Sequence, residues 1–194
     1  MAQFQPRQIL GKWRQGFALD LHTLSSVPLG YNEFGHMQFD TKRSELGELL
    51  FRLKNRGDAS VVAEIIAAAS TFLGQWRPPV EVIVPVPPSS ARALQPVMVL
   101  AQGLSEKSGI PIVEHVRKTR DTPQLKNVFD LDERLKVLEG VHAVEGAVAG
   151  QRVLLFDDLY RSGATMNVIT ELLYRQGNAA DVYALTITRT RSNQ

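Results

Sequence analysis

Arg152-Val153-Leu154-Leu155-Phe156-Asp157-Asp158-Leu159-Tyr160-Arg161-Ser162-Gly163-Ala164-Thr165 begins as a short apolar run and stops at two adjacent carboxylates. It then turns through Ser-Gly and enters a segment with helical periodicity. The apolar run is too brief for a helix, so the pattern predicts a buried strand, a loop and a helix start. In open α/β sheets, ligands collect at the carboxyl ends of the strands, where loop backbone and helix N-termini point outward together. Asp157 and Asp158 are expected at such an end. A phosphate dianion needs donors converging from one side. Arg161, Ser162, Gly163, Ala164 and Thr165 offer successive backbone N–H groups, hydroxyls and a helix dipole. Two vicinal sugar hydroxyls in turn suit paired acceptors just upstream. Taken one by one, the same residues would also serve as a strand end, a helix cap and an ordinary turn.

As a string they are more specific. Four apolar residues, two acids, two further residues and a hydroxyl/Gly/hydroxyl loop resemble the phosphoribosyl-diphosphate (PRPP) motif of the type I phosphoribosyltransferases. The resemblance implies that Val153 to Phe156 are the strand, Asp157 and Asp158 the ribose acids, and Ser162, Gly163 and Thr165 the 5′-phosphate loop. Two positions depart from the commonest pattern. Tyr160 stands where a small aliphatic residue is usual, and Arg161 stands where a small hydroxyl residue is most often found. Arg161 keeps its backbone N–H but replaces a hydroxyl with a fixed charge.

Outward from this motif, Val80 to Val86 read as a second buried strand by β-branched content. The Pro87-Pro88-Ser89-Ser90-Ala91-Arg92 stretch after it must be a loop, because prolines forbid continued pairing. Pro96 fits the first turn of a helix running to Ser108-Gly109, and Ile112 to Val116 supply the next strand. A right-handed crossover makes these strands parallel. After Thr165 a helix built on Val168, Ile169, Leu172 and Leu173 stops at Gly177, and Val182 to Ile187 form a last strand. Upstream, Asp40 or Thr41 is expected to cap a helix over Leu46, Leu49, Leu50 and Leu53, with a second helix after Asp58. Both helices read as structural. Residues 1–40, rich in Gly and aromatics, read as short strands or hairpins.

The fold class expected is therefore α/β: a type I phosphoribosyltransferase-like parallel sheet flanked by helices. Residues 1–40 form an N-terminal β-rich extension or hood, and 41–194 the α/β domain. The family resemblance assigns Pro88, Ser89, Ser90, Arg92 and Arg117 to pyrophosphate. It places a mobile catalytic loop over the polar stretch 117–139, with Lys118, Arg120 and Lys126 stabilising the leaving group. A short helix is expected there at about 130–138. The Arg-Lys-Thr, Thr-x-x-Gln-like and Asp-x-Glu-Arg-like elements of this stretch resemble the competence-associated ComF branch, although the Cys-rich N-terminal element of that branch is missing.

The reaction implied is displacement of pyrophosphate from C1 of the ribose by a nitrogenous base. Asp157 and Asp158 would be catalytic with Lys118 and Arg120, and would also help hold Mg2+. The alternatives are a non-catalytic PRPP or nucleotide-binding regulatory protein and a competence or DNA-processing interaction protein. The expected partners are PRPP, a base acceptor and a second copy in a homodimer.

Bulk properties bound these readings. At 194 residues the chain is long enough for one domain with a proper core. Lys+Arg 22 against Asp+Glu 20 lacks the basic footprint of a nucleic-acid binder. With no cysteine, thiolate catalysis and Cys-ligated zinc are excluded, and the four histidines show no metal-ligand spacing. No P-loop accompanies the acids, which sets nucleotide hydrolysis aside. No apolar run is expected to reach the roughly 18 residues of a membrane span, and the N-terminus lacks signal-peptide regions. A cytoplasmic protein is the expectation.

Overall fold

The computed structural model of the chain describes residues 2–88, 94–120, 137–138, 140–146 and 148–191. Its elements run β1 (Arg7–Gln8), β2 (Gln15–Leu21), β3 (Thr23–Tyr31), β4 (Met37–Arg43), α1 (Glu45–Arg56), α2 (Val62–Trp76), β5 (Val82–Pro85), α3 (Pro96–Ser108), β6 (Val116–Lys118), β7 (His142–Val144), β8 (Arg152–Tyr160), α4 (Ala164–Arg175) and β9 (Asp181–Arg189). The five-stranded sheet has the order β1-β2-β9-β8-β5, and every pairing except β1 with β2 is parallel. Two antiparallel ribbons, β3-β4 and β6-β7, stand outside it. This is the α/β class the sequence predicted, with a β-rich N-terminal part.

Parallel strands covered on both faces should read as continuous apolar runs. Val153, Leu154, Leu155 and Phe156 are all fully buried. Strand alternation divides them. Leu154 and Phe156 join Leu185 and Ile187 beneath α1, α2 and α3, where Leu46, Leu50, Ile65, Phe72 and Leu100 pack. Val153 and Leu155 join Val84, Val182 and Ala184 beneath α4, with Met166, Ile169 and Leu173 and with Val116 of the β6-β7 ribbon. The helices follow their predicted stripes. Pro96 opens α3 and Gly109 closes it in the left-handed region, where glycine carries no Cβ to clash.

Four details differ from the sequence reading. Asp40 and Thr41 belong to β4, and the cap of α1 is Ser44, whose Oγ accepts from the Gly47 N–H at 2.9 Å. The segment 112–116 contributes one parallel bridge, Ile83 to Ile112. Val116 begins an antiparallel ribbon with β7 instead, where its buried side chain joins the cluster beneath α4. The central strand does not stop at the two acids but pairs with β9 as far as Tyr160. Finally, Ala59–Trp76 is long and apolar enough to cross a membrane by length and composition, with 18 residues of mean hydropathy 1.2. Here Ile65, Ala68, Ala69, Phe72 and Leu73 of that segment pack into the core under the sheet.

One close contact fixes α1 on the sheet. A Cβ on Gly47 would lie 2.1 Å from the backbone oxygen of His22 at the end of β2. Gly47→Ala should therefore push α1 outward, a clash with backbone that exceeds the roughly 1 kcal/mol of helix propensity alanine brings. A net loss of about 1–3 kcal/mol, the usual scale of overpacking, is expected in thermal melts.

Candidate functional site

Because β2, β9 and β8 run parallel, their carboxyl ends share one side of the sheet, and the motif residues collect there. Successive strand residues face opposite ways. Asp158 is buried and turns toward α1, where its Oδ1 accepts from Lys54 Nζ at 2.8 Å. Asp157 is half-buried, and its Oδ1 accepts the Asp158 backbone N–H at 2.8 Å. Burial first, and then the charge of Asp158, push the Asp157 carboxyl up from 3.8 to about 8. Lys54 and the backbone N–H of Asp158 pull it down only in part. A carboxylate held this far above its ordinary range marks a place where negative charge is under-compensated. Hard oxygen donors in that condition fit Mg2+. Among the described residues no group of three or more His, Asp or Glu side chains gathers. Asp157 and Asp158 would hold the ion together with oxygens of a bound substrate.

The loop after β8 has the form the sequence predicted. Gly163, at φ 74°, is the N-cap of α4, a conformation that side chains with a Cβ rarely adopt. Ala164 opens the helix, and its N–H lies 3.4 Å from Ser162 Oγ. Gly163 and Ala164 are buried, Ser162 and Thr165 half-buried, and Arg161 is exposed. Gly163 at the N-cap has no side chain to accept from the helix, and the Ser162 contact on the Ala164 N–H is long, so the N-terminal N–H groups and dipole of α4 suit an anion.

Tyr160 has a structural reason. Its ring lies where a Cβ on Gly163 would fall, 2.7 Å away, and it meets Trp13 edge-on with centroids 6.2 Å apart. Its hydroxyl donates to the Leu10 carbonyl at 3.2 Å. Beside it, the Lys12 N–H donates to Asn167 Oδ1 of α4 at 2.7 Å. A small aliphatic residue would leave this N-terminal segment without its anchor on the loop. Of the aromatics in the N-terminal extension, Trp13 packs here and Phe17 packs against Phe72 and Trp76.

Of the cations assigned to pyrophosphate, Arg117, Lys118 and Arg120 lie on or next to the β6-β7 ribbon. Lys118 is half-buried opposite His142, Arg120 is exposed just beyond β6, and exposed Arg117 pairs with Glu145. The ribbon meets the start of α4 at its root, where Leu138 and Val141 pack on Ala164. Pro88 is half-buried three residues beyond β5. Ser89, Ser90, Arg92, Lys126 and nearly all of the helix expected at 130–138 lie outside the described residues.

Two contributors escaped the sequence reading. Lys54 was hidden in a helix read as structural, although Leu46, Leu50 and Lys54 fall at i, i+4 and i+8 on one face, which aims the lysine along the core stripe. His22 follows β2 at the same sheet end, and its Nδ1 lies 3.1 Å from Thr188 Oγ1. Burial, and then the charges of Arg43, Lys54 and Arg161, push its imidazole down from 6.5 to about 4 against the pull of Asp158. Nothing in the local sequence marks this histidine, because its surroundings come from α1, β9 and the loop after β8.

Comparison with solved structures bears on the fold. Adenine phosphoribosyl transferase from Trypanosoma brucei, solved in complex with AMP, pyrophosphate and ribose-5-phosphate, superposes with a TM-score of 0.50 over 96% of this chain and 75% of its own. The chain has the type I phosphoribosyltransferase fold. Sequence identity in that superposition is 13%, so this phosphoribosyltransferase likeness is one of architecture. Glutamine PRPP amidotransferase from B. subtilis gives a TM-score of 0.49 at 18% identity, covering 80% of this chain and 34% of that one. Among curated proteins, competence protein ComFC of Bacillus subtilis is a distant homologue, 28% identical over 158 residues. That match covers 77% of this chain and 62% of the relative, so the chain spans less than two thirds of ComFC's length. No protein-family model matches the sequence.

Proposed function

We propose that this phosphoribosyltransferase-fold protein binds PRPP at the carboxyl end of β8. With Mg2+ it transfers the phosphoribosyl group to a nitrogenous base and releases pyrophosphate. The observation that carries this is the conformation of 157–164: two adjacent carboxylates near the carboxyl end of β8, a left-handed glycine, and a helix whose N-cap carries no side chain. Arg161, Ser162, Gly163, Ala164 and Thr165 take the 5′-phosphate, and Asp157 and Asp158 the ribose hydroxyls. Arg117, Lys118 and Arg120, with Pro88, Ser89, Ser90 and Arg92, take the leaving group. Mg2+, when bound, neutralises charge on the departing pyrophosphate. Residues 1–40 serve as the cover over the base, since the chain leaves β2 at His22 on the same side of the sheet as Asp158. Residues 41–194 carry the PRPP site.

Calorimetric titration with PRPP, with and without Mg2+, tests the reading. A pyrophosphate-release screen against purine and pyrimidine bases follows on the same sample. Mg-dependent binding with release by one base is expected, and absence of PRPP binding overturns the proposal.

Two observations favour a second reading, in which the site binds PRPP or a nucleotide without turnover. Lys54 already occupies Asp158, and Arg161 puts an exposed fixed charge in the phosphate loop. Tight binding without release by any base is its signature. The likeness to ComFC supports a third, a part in competence or DNA processing. A mobility shift with single-stranded DNA at moderate salt reports on it.

A further inference from the structure

Large apolar side chains standing exposed are almost confined to one place. Among the described residues, all but Leu10 lie in the β3-β4 hairpin: Leu29 is 69% exposed, Tyr31 74%, Phe34 75% and Phe39 55%, with Leu24, Val27 and Met37 beside them. The hairpin is an arm. Every residue of β3 after Thr23 is exposed, as are Met37 to Asp40 of β4. The arm is also built to hold its shape. At its tip Asn32 Oδ1 accepts the N–H groups of Phe34 at 3.0 Å and His36 at 2.9 Å, and at its root Arg191 donates to the Leu24 carbonyl at 2.8 Å.

The two faces of the arm differ. Residues directly opposite each other in an antiparallel pair share a face, and alternate residues along a strand share it too. The pairs Tyr31 with Met37, Pro28 with Phe39 and Ser26 with Thr41 therefore make one side, apolar toward the tip and without charge from Met37 to Thr41. The pairs Gly30 with Gln38, Val27 with Asp40 and Ser25 with Lys42 make the other, which carries Asp40 and Lys42, while Arg43 at the root of the first side is paired with Glu48 of α1. A lone two-stranded ribbon is at best marginally stable in water, and an uncovered apolar face makes it less so.

We propose that the apolar face of the β3-β4 arm is covered by a second copy of this chain, arm against arm about a two-fold axis. Area favours this occupant. Aromatic side chains bury about 150–250 Å² each, so covering the exposed parts of Tyr31 and Phe39 with Met37 on this face, and of Phe34 at the tip, removes on the order of 500 Å² per chain. That is the apolar centre of an interface burying about 800 Å² per partner, the size of a stable pair. The charge distribution agrees. A two-fold axis sets the same face against itself, so an uncharged face is self-complementary while Asp40 and Lys42 stay outside. A nucleic acid would require cations on the contact face, and it has none between Met37 and Thr41.

The test is sedimentation velocity and light scattering on the full chain from about 1 to 100 μM. The wild type should be a dimer. Phe34→Ser should weaken dimerisation at least about tenfold, as loss of an aromatic anchor does, and Tyr31→Ser with Phe39→Ser should give a monomer. Unchanged far-UV circular dichroism should accompany both, because these exposed side chains leave no cavity behind. Gln38→Ser, on the charged face, should remain dimeric. A monomeric wild type throughout the range overturns the proposal, and so does a dimer that survives both aromatic variants.

Discussion

Asp157→Ala combined with Asp158→Ala is expected to abolish Mg-dependent binding of PRPP, with a loss of at least about two orders of magnitude. Hydrogen bonds to a charged group contribute about 1.5–3 kcal/mol and those to a neutral one about 0.5–1.5 kcal/mol, and acceptors on both carboxyls are removed together. The fold should survive. Asp157 is half-buried and held largely uncharged, so its removal takes away an unfavourable burial, and the lysine freed from Asp158 keeps partial access to water, with its side chain 23% exposed. Calorimetry measures the first effect and thermal melts the second. Retained binding in a folded double variant would remove the strand end from the ligand site and leave the phosphate loop as an ordinary helix entry.

The centre of this fold was legible for a physical reason. Val153 to Phe156 are buried on both faces, and only a covered parallel strand tolerates four apolar residues in a row. Gly163 could be read because few other residues take a left-handed turn into a helix. What escaped depends on contacts between distant elements. Lys54 reaches Asp158 across 104 positions, and only its i+4 spacing from Leu50 hinted at its direction. The departure at Tyr160 was visible as a departure, yet its reason lies in Leu10 and Trp13, 150 residues earlier in the case of Leu10. The cap of α1 was misplaced because Asp40, Thr41 and Ser44 are all good capping residues. The β3-β4 ladder claims the first two, which a local pattern does not reveal.

The part of the stability that Asp157 contributes should fall as pH rises from about 4 to about 8, and Asp157→Asn should remove that fall. Burial and the neighbouring charge of Asp158 raise Asp157 from 3.8 to about 8. Above 3.8 the unfolded chain releases this proton while the folded chain keeps it. The folded state then binds more protons, and each step up in pH favours unfolding. The stabilisation is whole below 3.8 and gone once the pH passes about 8. His22 and His142 act in the opposite sense. Burial first, then nearby cations (Lys118 for His142), push both down from 6.5 to about 4, so their contribution is whole above 6.5 and lost as pH falls through 4. The two trends overlap in wild-type melts. The asparagine variant separates them, because it shares both histidines, carries no charge at 157, and keeps an Oδ1 for the Asp158 N–H. Its Tm should match the wild type near pH 4 and exceed it by about 4 °C or more at pH 8, a gain of about 1–2 kcal/mol for a chain of this length. A difference that stays flat across the range would show that Asp157 ionises like an ordinary carboxyl. The strand end would then carry two charges at neutral pH, with Lys54 offsetting one of them.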